Sequence, residues 1–322
     1  MQVFLRYIFF QIFNDRGSLA VILVLAGSLA LAGCSSRNGN KNPQETPISG
    51  TINISVDESF KPIIDSQIKV FESAFPDAKV IAHYKSESEC IRDLAKQGED
   101  STRMIIVTRG LTVEEENYYK EVQHIPPKFG VLAYDAVAVI VNNTAKDSIF
   151  DMKDIHAMLD GTDKNHQPVM DGLSATSTVR YAIDSILHGQ SLGKNVTAAR
   201  SSEEVINYVA ANPRAVGFIG VSWIGDQDDP AQLSFLKKVG IASVRCANCL
   251  GTTYVKPYQA NIALGRYPLV RGLYYVLKEN FNGVGSNFVN FLQYERGQLI
   301  FRRAYLVPGK MSFEIRNMQI SN

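Results

Sequence analysis

From residue 51 onward, short runs rich in β-branched residues alternate with stretches whose apolar residues recur every three or four positions. A chain that alternates these two periods buries both by laying helices against a sheet, so the expected class is α/β. Residues 51–56 read as a strand, and a helix follows from about Lys61. There Ile64, Ile68, Phe71 and Phe75 form one stripe, and Pro62 sits in the first turn, where no N–H is needed. A turn at Pro76-Asp77 leads to a strand at 79–83, a helix at 87–96 with Ile91 and Leu94 inward, a strand at 104–107 and an acidic helix at 113–121. Residues 136–141 are apolar without a break, as in a strand buried on both faces. Helices are expected next at 151–159, ending at Gly161, at 179–187, ending at Gly189, and at 203–211, which leads through Asn212-Pro213 into a strand at 216–219. Residues 267–279 and 284–298 read as closing helices, and no repeat of domain-building period is present.

The N-terminus reads as an address. Arg6 and Arg16 precede the apolar residues 19–32, which end in Leu31-Ala32-Gly33-Cys34, the pattern of a bacterial lipoprotein signal. On this reading residues 1–33 are removed and Cys34 takes the lipid. The apolar run, about 14 residues, is short against the roughly 20 that a membrane-spanning helix needs. Residues 34–48, rich in Ser, Asn, Pro and Lys, then form a flexible tether. The expected location is the cell envelope, with a lipid-anchored body on the periplasmic or other extracytoplasmic face.

A chain with 45% hydrophobic residues and a formal charge of +1 can bury a large core, here expected in two lobes. The near-zero charge argues against a nucleic-acid partner, which needs a concentrated basic face. Of four cysteines, Cys246 and Cys249 form a CxxC with no second CxxC or nearby His to complete a metal set, so a short structural disulfide or two idle thiols is expected. Cys90 lies on the apolar side of a helix. The five histidines show no HExxH or other paired spacing, and there is no nucleotide-binding P-loop. Gly220-Val221-Ser222-Trp223-Ile224-Gly225 misses the G-x-S-x-G nucleophile elbow by one residue. No catalytic group, metal or cofactor is therefore expected.

Ser and Thr cluster where helices follow strands: Ser59 before Lys61, Ser86 and Ser88 before Ile91, Thr108 and Thr112 before Val113, and Ser174 to Thr178 before Arg180. A helix start carries unpaired N–H groups and the positive end of the dipole, so several starts converging on one cleft can hold a dehydrated oxyanion. Capping accounts for any one of them alone; Ser86-x-x-Glu89, Thr112-x-x-Glu115 and Ser201-x-x-Glu204 all match the capping box. Only the combination points to a ligand. Val179, Ala182, Ile183, Ile186 and Leu187 set one helical face and leave Arg180 off it. An Arg in a first turn works against the dipole, and its planar fork suits a tetrahedral anion; a surface salt bridge is the alternative. Arg109 occupies a similar place after a strand.

The ordered segments Glu58-Ser59-Phe60, Thr108-Arg109-Gly110-Leu111-Thr112, Tyr134-Asp135-Ala136-Val137, Ser177-Thr178-Val179-Arg180, Val216-Gly217-Phe218-Ile219-Gly220, Tyr267-Pro268-Leu269 and Leu306-Val307-Pro308 resemble the substrate-binding lipoprotein of the phosphate ABC importer, the PstS type. The resemblance spans roughly residues 50 to 310. It implies a two-lobed periplasmic-binding-protein fold, each lobe a mixed sheet flanked by helices, with an anion held at the hinge cleft. Lobe 1 would comprise residues 49–133 plus 258–322, and lobe 2 residues 134–257. It also implies a monomer that hands phosphate to ABC importer permease subunits. By position, Ser59, Phe60, Ser86, Ser88, Thr108, Arg109, Ser177, Thr178 and Arg180 would bind the ligand. Two departures stand out: Thr108 falls where the family has Asp or Ser, and Thr178 and Val179 replace the Gly and Thr of the family's Ser-Gly-Thr-Arg loop. The family's Asp accepts a hydrogen bond from monohydrogen phosphate and so rejects sulfate, whereas a Thr hydroxyl discriminates less. Glu58 or Glu87 could supply the missing acceptor, although a solvated carboxylate is the plainer role for each. Another oxyanion such as sulfate or molybdate, or a surface interaction lipoprotein without ligand, are the alternatives.

Overall fold

The computed structural model describes residues 45–98, 101–172, 174–226 and 228–310. Cys34, the signal segment and most of the expected tether lie outside these residues. The tether's last positions belong to the folded body: Glu45 accepts from Arg103 at 2.9 Å and from the backbone N–H of Val284 at 3.0 Å, and Asn287 donates to the Pro47 carbonyl at 2.8 Å.

The alternation expected from the sequence is present. Strand β1 (Gly50–Asp57) passes through a single 3-10 turn (Glu58–Phe60) into α1 (Lys61–Ala74). Then come β2 (Ala78–Lys85), α2 (Glu87–Ala95), β3 (Met104–Val107) and α3 (Val113–Asn117), whose last turns widen into a π-helix at Tyr118–Val122. The apolar run at 136–141 is the second half of a long strand, β4 (Lys128–Asn142). After it come β5 (Ile149–Phe150), α4 (Met152–Asp160), β6 (Gln167–Met170), α5 (Ser177–Tyr181, widening at Ala182–Ile186), β7 (Thr197–Ala198), α6 (Ser202–Ala211) and β8 (Ala215–Gly220). Gly161 ends α4 at a φ of 85°, a left-handed cap that suits a residue without a Cβ.

The segment 267–279 is the main correction to the sequence reading. Val270–Leu277 is not a helix but a strand, β12, buried on alternate positions over most of its length. Its physical reason lies in the residues: Val270, Tyr274, Tyr275 and Val276 favour a pleated surface, and Gly272 weakens a helix interior. Between β8 and β12 lie α7 (Pro230–Leu236), β9 (Val239–Ile241), β10 (Ser243–Arg245), β11 (Tyr254–Val255) and α8 (Gln259–Ala263). Cys246 and Cys249 form a disulfide beside β10, so the first of the two expectations holds. The helix expected at 284–298 is two, α9 (Val284–Gln293) and α10 (Glu295–Arg303), because Tyr294 between them is extended. A short β13 (Val307–Pro308) closes the described chain.

The main sheet runs β2-β1-β3-β12-β4-β8-β6-β7, with β9 and β13 also on β4. Strands β1, β2 and β3 are parallel, as are β6, β7 and β8, and antiparallel β12 and β4 lie between the two groups. β4 changes partner midway. Through Ala136 it pairs with β12, and from Val137 it pairs with β8. This one strand therefore ties the two halves of the curled sheet together, as in a two-lobed binding-protein fold. The core follows the sheet: Phe71 of α1 meets Phe288 of α9 at 5.0 Å edge-on, and Cys90 packs in a satellite cluster with Leu94, Ile105 and Tyr119. Burial pushes the Cys90 thiol up, so it stays protonated. No helix among the described residues is long and apolar enough to cross a membrane.

Candidate functional site

In open α/β sheets the carboxyl ends of parallel strands gather the loops that meet a ligand. Here β1 ends at Asp57, β3 leads to Thr108, β6 leads to Asp171 and β8 leads to Val221, and these loops converge. The Ser59 hydroxyl lies 3.4 Å from that of Ser177, 3.5 Å from that of Thr178 and 3.5 Å from the Asp171 carboxylate. All four residues are buried. Ser222 donates to the Ser59 carbonyl at 3.0 Å and fixes the first loop against the turn after β8. Gly220 eases this approach: a Cβ there would stand 3.2 Å from both the Ser59 carbonyl oxygen and Arg271 Nη2, tighter than an ordinary contact.

The cation among these hydroxyls is Arg271, which sequence reasoning missed. It stands opposite Asp135 in the β12–β4 register and donates from Nε to its carboxylate at 2.8 Å, with both side chains almost wholly buried. Its Nη1 donates to Ser177 at 3.0 Å and to Thr178 at 3.4 Å, and its guanidinium carbon lies 5.2 Å from the centre of the Phe60 ring. Nη2 is buried without a hydrogen-bond partner, as are Oδ2 of Asp57 and Oδ1 of Asp135. A usable signal was present in the chain: Arg271 and Asp135 are lone charges beside apolar runs. Reading 267–279 as a helix hid that they face each other.

Arg180 forms a second corner. It donates from Nε to Glu87 at 2.5 Å and from Nη2 to the Thr108 hydroxyl at 2.8 Å, while Nη1 reaches Asp184 at 3.2 Å. Thr108 gives both its N–H, at 2.9 Å, and its hydroxyl, at 2.7 Å, to the same Glu87 oxygen. Glu87 is 2% exposed, so the solvated role expected for it is overturned: it is a buried carboxylate beside the position where the resemblance lacks an acid. Burial pushes Glu87 up, but the bonds and charge of Arg180 and the bonds of Thr108 hold it below the usual glutamate range. Glu58 is not solvated either. It is half-buried and accepts the hydroxyl of Ser202 at 2.9 Å at the start of α6, and burial raises it to about 7.

Other sequence candidates fall away from this centre. Arg109 donates through both terminal nitrogens to Glu115, at 2.7 and 2.8 Å, and so pins its loop to α3. Ser86 caps α2, its N–H and hydroxyl both going to Glu89. Ser88 is exposed, and its N–H donates to the Ala175 carbonyl at 3.2 Å, a link between the loops at α2 and α5. The structure therefore brings together Ser59, Phe60, Ser177 and Thr178 around Arg271. Thr108 and Arg180 meet beside them, while Ser86 and Arg109 are occupied elsewhere.

Electrostatically the centre is acidic. Burial raises Asp57 to about 6 despite the pull of Arg271, with Glu87 and Asp171 pushing further up. Burial also raises Asp135 and Asp171, against the pull of Arg271 on the first and of the Thr176 hydroxyl and Arg271 on the second. The arrangement offers hydroxyl and guanidinium donors to an oxyanion and presses carboxylates close to it.

A model of the PBP superfamily domain matches residues 41–296. Among solved structures, the chain is similar to a candidate phosphate ABC transporter substrate-binding protein of Clostridium perfringens with bound phosphate. That match has 20% identity and a TM-score of 0.65, and covers 80% of this chain and 99% of that one. An ABC-type phosphate transport receptor of Vibrio cholerae is similar at 18% identity with a TM-score of 0.57, over 80% of this chain and 100% of the other. No curated protein matches.

Proposed function

The chain belongs to the PBP superfamily, and from that premise we propose that it captures inorganic phosphate in the cleft and delivers it to the permease subunits of an ABC importer. The observation that carries this reading is the meeting of three hydroxyls, from Ser59, Ser177 and Thr178, at one buried guanidinium whose Nη2 lacks a partner. A dry site strengthens charge-assisted hydrogen bonds, and donors fixed by the sheet need little reordering to receive an anion. Similarity to a phosphate ABC transporter substrate-binding protein with bound phosphate and to a phosphate transport receptor supports the same ligand.

The rest of the reading follows from the sequence. The body is a monomer held by lipid at Cys34 on the extracytoplasmic side, and it acts as a receptor with no reaction of its own. Its lobes divide near residues 133/134 and 257/258. Support for the first boundary comes from β4, which trades β12 for β8 at 136/137. A second reading, another oxyanion, draws on Thr108: the acid beside it, Glu87, is already bound by Arg180. Equilibrium binding of labelled phosphate to the full chain, with sulfate and molybdate as competitors, tests both. Phosphate should bind and resist competition. Displacement by sulfate at equal concentration favours the second reading, and no phosphate binding at any pH ends the first.

A further inference from the structure

Three aspartates, Asp57, Asp135 and Asp171, are buried around the guanidinium of Arg271, the one buried arginine among the described residues. They do not share it equally. Asp135 holds the direct ion pair. Asp171 accepts from Thr176 at 2.9 Å and Thr178 at 3.3 Å and is approached by Ser59, so its charge is spread over hydroxyl donors. Asp57 has one bond, from the Ser59 N–H to Oδ1 at 2.9 Å, and its Oδ2 is buried without any. A buried charge needs a counter-charge or several donors, and Asp57 has neither to itself. An oxyanion taken up at Arg271 would claim more of the buried positive charge that acts on Asp57 and leave Asp57 worse off still.

We propose that oxyanion capture is proton-coupled, with Asp57 taking up one proton from solvent as the anion enters and returning it to solvent as the anion leaves. This rests on the reading of the cleft as an oxyanion site. The groups facing Asp57 all act in the same direction or are already engaged. Glu87 of α2 and Asp171 after β6 repel a charge on it, and Glu58 is its neighbour in the chain. Arg271 of β12 is shared with Asp135 of β4, Arg180 of α5 is engaged by Glu87, Lys85 of β2, opposite Asp57 in the ladder, is engaged by Asp93, and Cys90 of α2 is neutral. Burial has already raised Asp57 to about 6 before any anion arrives, so near neutral pH it is mostly ionised and has a proton to gain. A neutral Asp57 carboxyl also turns the unpartnered, repelling Oδ2 into an O–H donor. Ser59, two residues on and bonded through its N–H to Oδ1, then works beside a neutral carboxyl instead of a charge.

Linkage sets the sign. If the anion prefers the protonated carboxyl, affinity is highest below the free-state midpoint and falls about tenfold per pH unit above it, until the bound-state midpoint is reached. The test is titration calorimetry of the full chain with inorganic phosphate, in buffers of differing ionisation enthalpy, between about pH 6.5 and 8. Wild type should take up about one more proton per phosphate than Asp57→Asn, whose affinity should lose about one log unit of slope per pH unit. Phosphate titrates in the same range, so the difference between the two proteins is the readout. Infrared difference spectra of wild type on phosphate addition give a second measure, a new protonated-carboxyl band, which stands even if the variant folds poorly. Equal proton counts, or no carboxyl band, overturn the proposal and leave phosphate binding intact. Absence of phosphate binding overturns both.

Discussion

Arg271 and Arg180 are the same side chain in two settings. Arg271 stands on a strand in the middle of the sheet, 5% exposed, and its partner Asp135 faces it across the ladder. Arg180 stands on the first turns of a helix, partly open to solvent, and is wrapped by Glu87, Thr108 and Asp184. The first has a buried nitrogen to offer, while the second has its fork largely filled. An arginine's position in a sequence motif is therefore a weaker guide to its role than the donors it has left.

The comparison breaks most readily at Arg271. Arg271→Ala leaves Asp135 buried without its ion-pair partner and removes the donor from Ser177 and Thr178, so it should cost about 3–5 kcal/mol of stability. Phosphate binding should fall more than about 100-fold. Arg271→Lys keeps the charge without the planar fork, so it should fold better and still bind poorly. Urea unfolding and equilibrium binding measure the two effects. If Arg271→Lys binds as wild type does, the fork is not a ligand contact and the ranking of the two arginines reverses.

Arg180→Ala comes next. It strips the buried Glu87 of its cation, which should cost about 2–3 kcal/mol, and weaken phosphate binding about 10-fold through the disturbed Thr108 loop. Glu87 has a depressed folded pKa, so its stabilising contribution is present above the ordinary glutamate range and lost as pH falls through its lower folded value. Without Arg180 that depression should vanish. Acid unfolding of the variant should start at higher pH than in wild type, as followed by circular dichroism, and an unchanged acid midpoint would show that Glu87 does not depend on this arginine.

The difference in legibility between the two arginines has a physical source. Arg180 was visible because a helix repeats every three or four residues, so one apolar face defines what lies off it. The strand–helix alternation, the buried run in β4 and the loop hydroxyls at Ser59, Ser177 and Thr178 were visible for the same local reason. Arg271 was not, because its meaning depends on a partner 136 positions away. A strand pairing of that range leaves no periodic trace in either segment. The roles of Glu87 and Glu58 were hidden likewise: each carboxylate is engaged by the start of a helix distant in the chain, Arg180 of α5 and Ser202 of α6, and such contact is a tertiary property.

A pH effect sharpens the picture of the acidic centre. Asp57 and Glu58 have folded pKa values raised to about 6 and about 7, so the folded state binds protons that the unfolded state releases. Their contribution to stability is full below the unfolded values and lost as pH rises through the folded ones. Without phosphate, stability should therefore rise by about 3 kcal/mol as pH falls from about 7 to about 5. Asp57→Asn should remove part of that rise. Thermal unfolding across this range checks it, and a stability that climbs toward neutral pH would contradict the raised values.

Arg109 supplies the smallest expected effect and the sharpest control. Its two terminal nitrogens are both held by Glu115, in a pair whose side chains are each about a quarter exposed. Arg109 follows β3 by two residues, whereas Arg180 lies within α5, and Arg109 bonds to Glu115 and not to the hydroxyl centre. Burial works against its charge, while Glu115 more than compensates and holds its pKa up. A partly exposed pair of this kind is worth about 0–1 kcal/mol. Arg109→Ala should change stability by no more than that and leave phosphate affinity within about twofold, while Arg180→Ala loses about tenfold. Equal losses in the two variants would mean that the loop carrying Thr108 and Arg109 acts as one rigid unit, and that charge near the cleft, not its geometry, governs binding.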